Sequence, residues 1–247
     1  MLSIEHNKIK YHRIVTDNFY EDKNEELLKN FNYSFVISYG DFVSKSYDVV
    51  DKNAVIIELD KGIDSVFSKF NATARKHTRR FEKLDELTFH KEILNKIDFY
   101  DFYTECEHSR GWKPVPEDEL FNSIIFYVCH NGIPISGISA YTCENKIRLG
   151  RIFSVRNTTG IDKANLVFGV AAKKIVYEFC VFGVENNFDS LDLGGIDVTS
   201  DQKSGITDFK LSFSNNIVPV KIGRFVKAPD SYLKIQTELS SSGLDLT

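Results

Sequence analysis

The sequence predicts a mixed α+β protein, with largely antiparallel strands flanked by helices, and three stretches carry that prediction. Residues 124–129, 135–142 and 147–155 are strand-like runs joined at His130-Asn131-Gly132 and Glu144-Asn145, short turns of the kind that build an antiparallel meander. Ile63, Val66, Phe67, Phe70, Ala74 and Phe81 recur at helical spacing. Residues 190–223 read as a short buried strand, a Gly194-Gly195 turn, a polar loop, a helix and a closing strand.

Taken in order, residues 9–15 alternate as a strand does and 18–30 read as a short helix. Strand-like runs follow at 34–38, 41–49 and 54–59. The helical pattern over 63–81 is expected to kink at Asn71, with Thr73 capping a second helix. Its outer face carries Lys69, Arg75, Lys76, Arg79, Arg80 and Lys83. Residues 97–108 suit an amphipathic helix, and Gly111-Trp112-Lys113-Pro114-Val115-Pro116 reads as a rigid, exposed link. That link sets the expected boundary between lobes at 1–115 and 116–247. Beyond the meander, the loop Arg156-Asn157-Thr158-Thr159-Gly160 leads into an apolar helix over 165–179. Residues 191–193 form a short apolar run that carries one acid, Asp192. Gly205, Ile206, Phe209, Leu211 and Phe213 then space as a short helix that holds its aromatics inward and Lys210 to one side, and Ile217, Pro219, Val220 and Ile222 close the pattern as a strand.

The chain of 247 residues, 42% hydrophobic and 27% charged, has enough apolar content for a substantial core. Its net charge of -4 argues against a generic polyanion binder, although local basic patches remain open. No apolar run has the length to cross a bilayer, and the first residues lack the apolar stretch of a signal peptide, so a cytoplasmic protein is expected. Cys106, Cys129, Cys143 and Cys180 are scattered among apolar neighbours without a C-x-x-C pair, which points to reduced core thiols and to no metal site.

Asp192, Gly194, Gly195, Gly205, Phe209, Lys210 and Phe213, in this order and spacing, resemble the C-terminal signature of the Fem-type branch of the GNAT superfamily. These are aminoacyl- and acyltransferases related to peptidoglycan-bridge enzymes. Residues 59–83, with an acidic start, an amphipathic helix and the T-x-R-x-x-x-R-R pattern from Thr73 to Arg80, are similar to a second segment of that family. The resemblance implies two GNAT-like lobes facing each other; its closest signature implies aminoacyl transfer from aminoacyl-tRNA to a cell-wall precursor, and the broader GNAT superfamily implies acyl transfer with coenzyme A as the carrier. The long helical hairpin arm of the bridge-building aminoacyltransferases has no counterpart here, which weighs against transfer RNA as donor.

Acyl transfer to an amine needs a neutral amine, a nearby carbonyl and a donor for the developing oxyanion. A loop running into a helix N-terminus offers backbone N–H groups to a pyrophosphate, which makes Arg156, Asn157, Thr158, Thr159, Gly160 and Asn165 the expected coenzyme A residues; the stretch holds only one glycine. Asp192, at a strand end beside two glycines, suits a general base, or else it accepts hydrogen bonds from the Gly194-Gly195 turn. Lys210 suits a phosphate or an oxyanion, or a solvated helix face. Arg75, Arg79 and Arg80 are expected at an acceptor phosphate, and Trp112 against a base or sugar ring, with a solvated face and burial between lobes as their alternatives.

The expected function is an N-acyltransferase moving a short acyl group from acyl-coenzyme A to a nucleotide-linked amino sugar for surface polysaccharide synthesis, with nucleic acid not an expected partner and a homodimer left open. Aminoacyl transfer from aminoacyl-tRNA to a cell-wall precursor and a non-catalytic GNAT-like binding module are the alternatives.

Overall fold

The computed structural model describes residues 2–6, 9–155, 164–196 and 204–227. Twelve strands are described: β1 (Leu2–His6), β2 (Ile9–Thr16), β3 (Phe19–Tyr20), β4 (Tyr33–Ser38), β5 (Phe42–Val43), β6 (Asp48–Glu58), β7 (Leu87–His90), β8 (Ile124–His130), β9 (Ile133–Cys143), β10 (Lys146–Ser154), β11 (Ser190–Ile196) and β12 (Ile217–Val226). The α-helices are α1 (Glu25–Asn30), α2 (Ile63–Lys69), α3 (Ala72–Phe81), α4 (Lys96–His108), α5 (Glu117–Phe121), α6 (Ala164–Glu185) and α7 (Ser204–Leu211).

Ten strands form one sheet in the order β1-β2-β4-β12-β6-β11-β10-β9-β8-β7, and β3 pairs with β5 in a two-stranded sheet. The protein is therefore mixed α+β, as predicted, but its two halves do not build a sheet each. β12, from the second half, lies between β4 and β6 of the first, and β7, from the first half, edges the meander of the second. The link at 111–116 marks no break in this sheet, because Val115 is buried and its N–H donates to the Tyr103 hydroxyl at 2.9 Å. The sheet also curls: β2 comes over to β9, where Thr16 Oγ1 donates to Glu144 at 2.9 Å and Lys146 pairs with Asp17 at 2.8 Å.

One face of the sheet packs on α2, α3 and α6 through a core that includes Val66, Phe70, Val170, Ile175, Phe179, Ile147 and Leu191. α6 is apolar over more of its length than residues 165–179 alone, and the chain turns away just past its 22 residues through a left-handed Asn187. The opposite face packs α4 and α5 on Phe153, Ile125 and Tyr127. All four cysteines are buried, and none is joined in a disulfide.

The kink predicted in the α2–α3 segment is present, but Asn71 and not Thr73 is the cap, its side chain accepting from the Ala74 N–H at 2.8 Å. Residues 18–30 are not one helix. Asn18 takes the Asp41 N–H at 2.8 Å and Phe19 pairs with Phe42, which draws 18–20 into the small sheet; the rest of the stretch is helical, a 3-10 turn over Glu21–Asn24 running into α1. The strand expected over 41–49 is interrupted because the Glu21 carboxylate gathers the Ser44 hydroxyl and the Lys45 and Ser46 N–H groups within 2.7 to 3.1 Å, folding 44–46 into a turn.

Candidate active site

β10 and β11 run parallel, yet only Lys146, Ile147 and Arg148 find partners, in Ser190, Leu191 and Asp192. Past the Arg148–Asp192 pair the strands part. Two irregularities sit at this fork. Gly150 is an extra residue in β10, since the register with β9 shifts between Leu149 and Arg151; β11 shifts against β6 between Asp192 and Gly195, with Gly194 at φ +86°. Bulges of this kind re-aim a strand and interrupt its pairing. A cleft of about 540 Å³ fills the fork, walled by Arg148 to Ile152 on one side and Leu193 to Gly195 on the other, with Phe209 and Lys210 of α7 and Arg110 and Trp112 of the link completing it.

Asp192 closes the fork from below and has no exposed surface. Arg148 forms an ion pair with its Oδ2, the Tyr39 hydroxyl donates to the same oxygen at 2.5 Å, and the Gly194 N–H donates to Oδ1 at 2.6 Å. Burial, then the Asp192 charge, pushes the Tyr39 phenol well above its ordinary pKa. Burial works against the Arg148 charge, but Asp192, Tyr141 and Tyr39 together outweigh it and hold the guanidinium above its usual value. Lys210 is 8% exposed and donates to the Gly195 carbonyl at 2.6 Å. Burial pulls its ammonium down to about 8, Arg148 adds to the fall and Asp192 opposes it. A methyl group on Gly194 would lie 3.4 Å from Lys210 Nζ, in contact without clash; it is the positive φ of the turn that calls for glycine. Deeper in the cleft wall, Arg151 stands 3.7 Å from the buried Glu107.

The structure brings Asp192, Lys210 and Trp112 to one place and sets Arg75, Arg79 and Arg80 apart from it. The Asp192 carboxylate does not line the cleft. Arg75, Arg79 and Arg80 lie on α3, in a separate groove of about 640 Å³ that also takes in Lys76 and Lys83. Arg75 turns back onto the Ser68 carbonyl at 3.0 Å and onto that of Phe70, capping the end of α2, and Arg79 lies over the Phe67 ring at 5.3 Å. Glu82, a flanking acid, pairs instead with Lys174 of α6 at 2.5 Å. Among the described residues, no ion pair joins Lys76, Arg79, Arg80 or Lys83 to an acid. Arg156, Asn157, Thr158, Thr159 and Gly160 lie outside the described residues, while Asn165 is exposed in the first turn of α6. Trp112 is 39% exposed, at the cleft and not buried between lobes.

Arg148, Tyr39 and Gly150 were not singled out from sequence. A glycine between Leu149 and Arg151, inside an otherwise regular strand, is a bulge signal that was there to be read. Tyr39 lies 153 positions from its partner Asp192, and nothing local announces it.

One continuous mixed sheet that forks between two parallel strands, with helices on both faces, is a GNAT-like fold. Among solved structures the chain is similar to FemX, with a TM-score of 0.60 at 12% identity, covering 94% of this chain and 85% of that one. It is also similar to L-PGS from Bacillus licheniformis, with a TM-score of 0.56 at 15% identity over 94% and 83% of the two chains. The C-terminal domain (DUF2156) of an Agrobacterium fabrum protein assigned as a lysylphosphatidylglycerol synthetase gives a TM-score of 0.53 at 11% identity, over 89% and 77%. At such identities the likeness is one of fold. No protein-family profile matches the chain, and no curated protein matches it by sequence. Among the described residues, no helix is long and apolar enough to cross a membrane.

Proposed function

We propose that the chain is an acyltransferase whose reaction takes place in the fork between β10 and β11. The observation that carries this reading is a buried lysine, Lys210, held on the Gly195 carbonyl in the wall of the fork, beside a bulged strand and a glycine turn; burial lowers its pKa. An ammonium kept out of water beside a reacting carbonyl stabilises the oxyanion far better than one in solvent, and Lys210 is placed for that task. Asp192 serves it from behind: it neutralises Arg148 and ties down the Gly194 turn, and with three donors on its oxygens it orients the site and does not take the substrate proton.

The donor we infer is acyl-coenzyme A, which supplies a thioester open to attack by an amine. The free edge of β10, Lys210 and Asn165 at the start of α6 suit its arm and phosphates. The acceptor we infer is a small anionic amine, a nucleotide-linked amino sugar. A cleft of about 540 Å³ has the size of a small-molecule site, and Arg110 and Lys210 give it cationic walls with Trp112 as a stacking surface. Synthesis of a surface polysaccharide is the setting we infer for such a product, and the cytoplasm its compartment. α3 offers Arg79 and Arg80 to a more distant phosphate.

Aminoacyl transfer is the second reading, favoured by the fold likeness to FemX and L-PGS. The deciding experiment incubates the protein with acetyl-coenzyme A or with charged transfer RNA, a panel of nucleotide-linked amino sugars and a cell-wall precursor, and weighs the products by mass spectrometry. Mass gain of a sugar nucleotide by one acetyl group supports the first reading. Transfer only from charged RNA replaces it with the second.

A further inference from the structure

Among the described residues, the three most exposed large apolar side chains are Leu94 at 90%, Ile97 at 71% and Ile133 at 68%. Ile133 follows the left-handed Asn131-Gly132 turn, and Leu94 and Ile97 flank the cap of α4. The Asn95 side chain closes that cap on the Ile97 and Asp98 N–H groups at 3.1 and 3.4 Å. An apolar residue just before such a cap ordinarily packs on the fourth residue of the helix. Here that residue is Phe99, buried against Tyr127 and Phe153, and Leu94 is left in water.

Leu94 and Ile133 both line a groove of about 670 Å³ between α4 and the strands β7, β8 and β9. It shares no lining residue with the cleft of the fork. Ile93, Phe99, Phe102, Tyr127 and Pro134 give it an apolar floor. Polar groups on the floor already have partners: the Tyr127 hydroxyl donates to the Glu92 carbonyl at 2.9 Å, and Thr88 Oγ1 and His90 Nε2 lie 2.9 Å apart. The α4 wall is anionic instead. Asp98, Asp101 and Glu105 are exposed along one side of the helix and span about 10 Å, two turns. Among the described residues, no ion pair joins these three acids to a cation. The lysines nearby are directed elsewhere, Lys91 to Glu178 at 3.9 Å and Lys96 over the Phe121 ring at 5.1 Å.

We propose that this groove docks a partner protein through a basic amphipathic helix, whose apolar face covers Leu94, Ile133 and Phe102 and whose lysines or arginines meet Asp98, Asp101 and Glu105. A helix lying in a groove anchors through apolar residues at i, i+3 or i+4 and i+7, a length that matches the two-turn wall. Exposed apolar surface rimmed by charge of one sign is what such a helix complements. An anionic bilayer is repelled by the same acids. The cationic stripe on α3 of a second copy could pair with them, but its groove holds only Ala72 and Leu84 as apolar residues and would leave the floor uncovered. The proposal goes beyond the acyl-transfer reading and does not depend on it.

The test uses a fluorescein-labelled peptide of leucine and lysine, about 14 residues long and patterned so that its leucines share one helical face. A scrambled peptide of the same composition and a leucine–glutamate analogue serve as controls, with fluorescence anisotropy for affinity. The native protein is expected to bind the patterned lysine peptide at least tenfold tighter than either control. Leu94→Asp and Ile133→Asp, at positions exposed enough to leave the fold intact by circular dichroism, are each expected to weaken binding about tenfold or more, the loss of one anchor. Asp101→Lys with Glu105→Lys is expected to weaken it and to flatten its dependence on salt. Val43→Asp, an equally charged change at an exposed apolar residue of β5, should leave affinity unchanged. Equal binding of the scrambled peptide, or unchanged affinity in both Leu94→Asp and Ile133→Asp, overturns the proposal. Sedimentation of the native protein alone into dimers that Leu94→Asp abolishes also overturns it, by making a second copy the occupant.

Discussion

Replacing Asp192 by Asn tests the assignment of this carboxylate most directly. The side chain has no exposed surface and faces a guanidinium whose own side chain is 11% exposed, with the Tyr39 hydroxyl and the Gly194 N–H on its oxygens. Asn keeps an oxygen for Gly194 or Tyr39 but removes the charge, leaving Arg148 a buried cation without its counter-ion. Breaking a buried pair in this way costs about 3–5 kcal/mol. For a chain of this size each kcal/mol lowers the melting temperature by about 2–4 °C, so a fall of roughly 6–20 °C is expected by circular dichroism. Removing both charges, as Asp192→Leu with Arg148→Met, is expected to be milder than the sum of the single changes by about 2 kcal/mol or more, because no orphaned charge remains. Activity of Asp192→Asn, measured well below its own midpoint, should stay within about tenfold of native. A protein that melts within 2 °C of native while kcat falls by ~10²- to 10⁴-fold would refute this reasoning and return Asp192 to the role of general base.

Lys210 acts as an ammonium, so kcat is expected to fall as pH rises through about 8, and Lys210→Met should abolish that limb along with most of the activity. The same depressed pKa has the opposite sign for stability: the unfolded chain holds the Lys210 proton up to its ordinary pKa, so this residue's contribution to stability rises from about pH 8 upwards, visible as a difference between native and Lys210→Met urea midpoints across that range. Gly194→Ala places a methyl group 3.4 Å from Lys210 Nζ on a backbone at φ +86°; a loss of about 1–2 kcal/mol in a urea titration is expected, together with a displaced pH limb. His12 is buried against Ser34 at 3.1 Å with its pKa pushed down to about 4, chiefly by burial. Its unfolded form takes a proton first on acidification, so stability falls as pH drops from its ordinary pKa towards about 4, and His12→Gln should flatten that part of the acid melting curve.

The local part of this architecture was legible in the sequence. The meander announced itself through Asn131-Gly132 and Glu144-Asn145, and Asn131 and Glu144 do adopt the left-handed backbone that such turns require. α3, α4, α6 and α7 followed from periodicity because each presents an apolar face to a sheet. β7 was missed: four residues, LTFH, give too short a pattern to separate from a loop. The single sheet was missed for a different reason. Whether β12 returns to its own half or crosses to β4 is decided by pairing between residues some 180 positions apart, such as Lys221 with Ser38, and no window of sequence holds both. At the site, Asp192 was visible because it sits beside Gly194-Gly195, and Lys210 because it falls on the side of a short helix within the same compact motif. Arg148, Arg151 and Tyr39 were not, since a charged residue in a strand looks solvent-facing until the strand across from it is known.

The placement of β12 has a consequence for how the molecule comes into being. The latest of the twelve strands in chain order is an inner strand of the sheet, flanked on both sides by strands made far earlier. During synthesis β4 and β6 must wait with open edges while the meander, α6 and β11 emerge and pack. Open edges recruit other strands, from the same chain or from a neighbour on the polysome. The charged residues Asp48, Asp51 and Lys52 in the waiting half of β6 read, in that light, as protection for a temporary edge. A nascent chain stopped before Ile217 should be the species that chaperones hold longest.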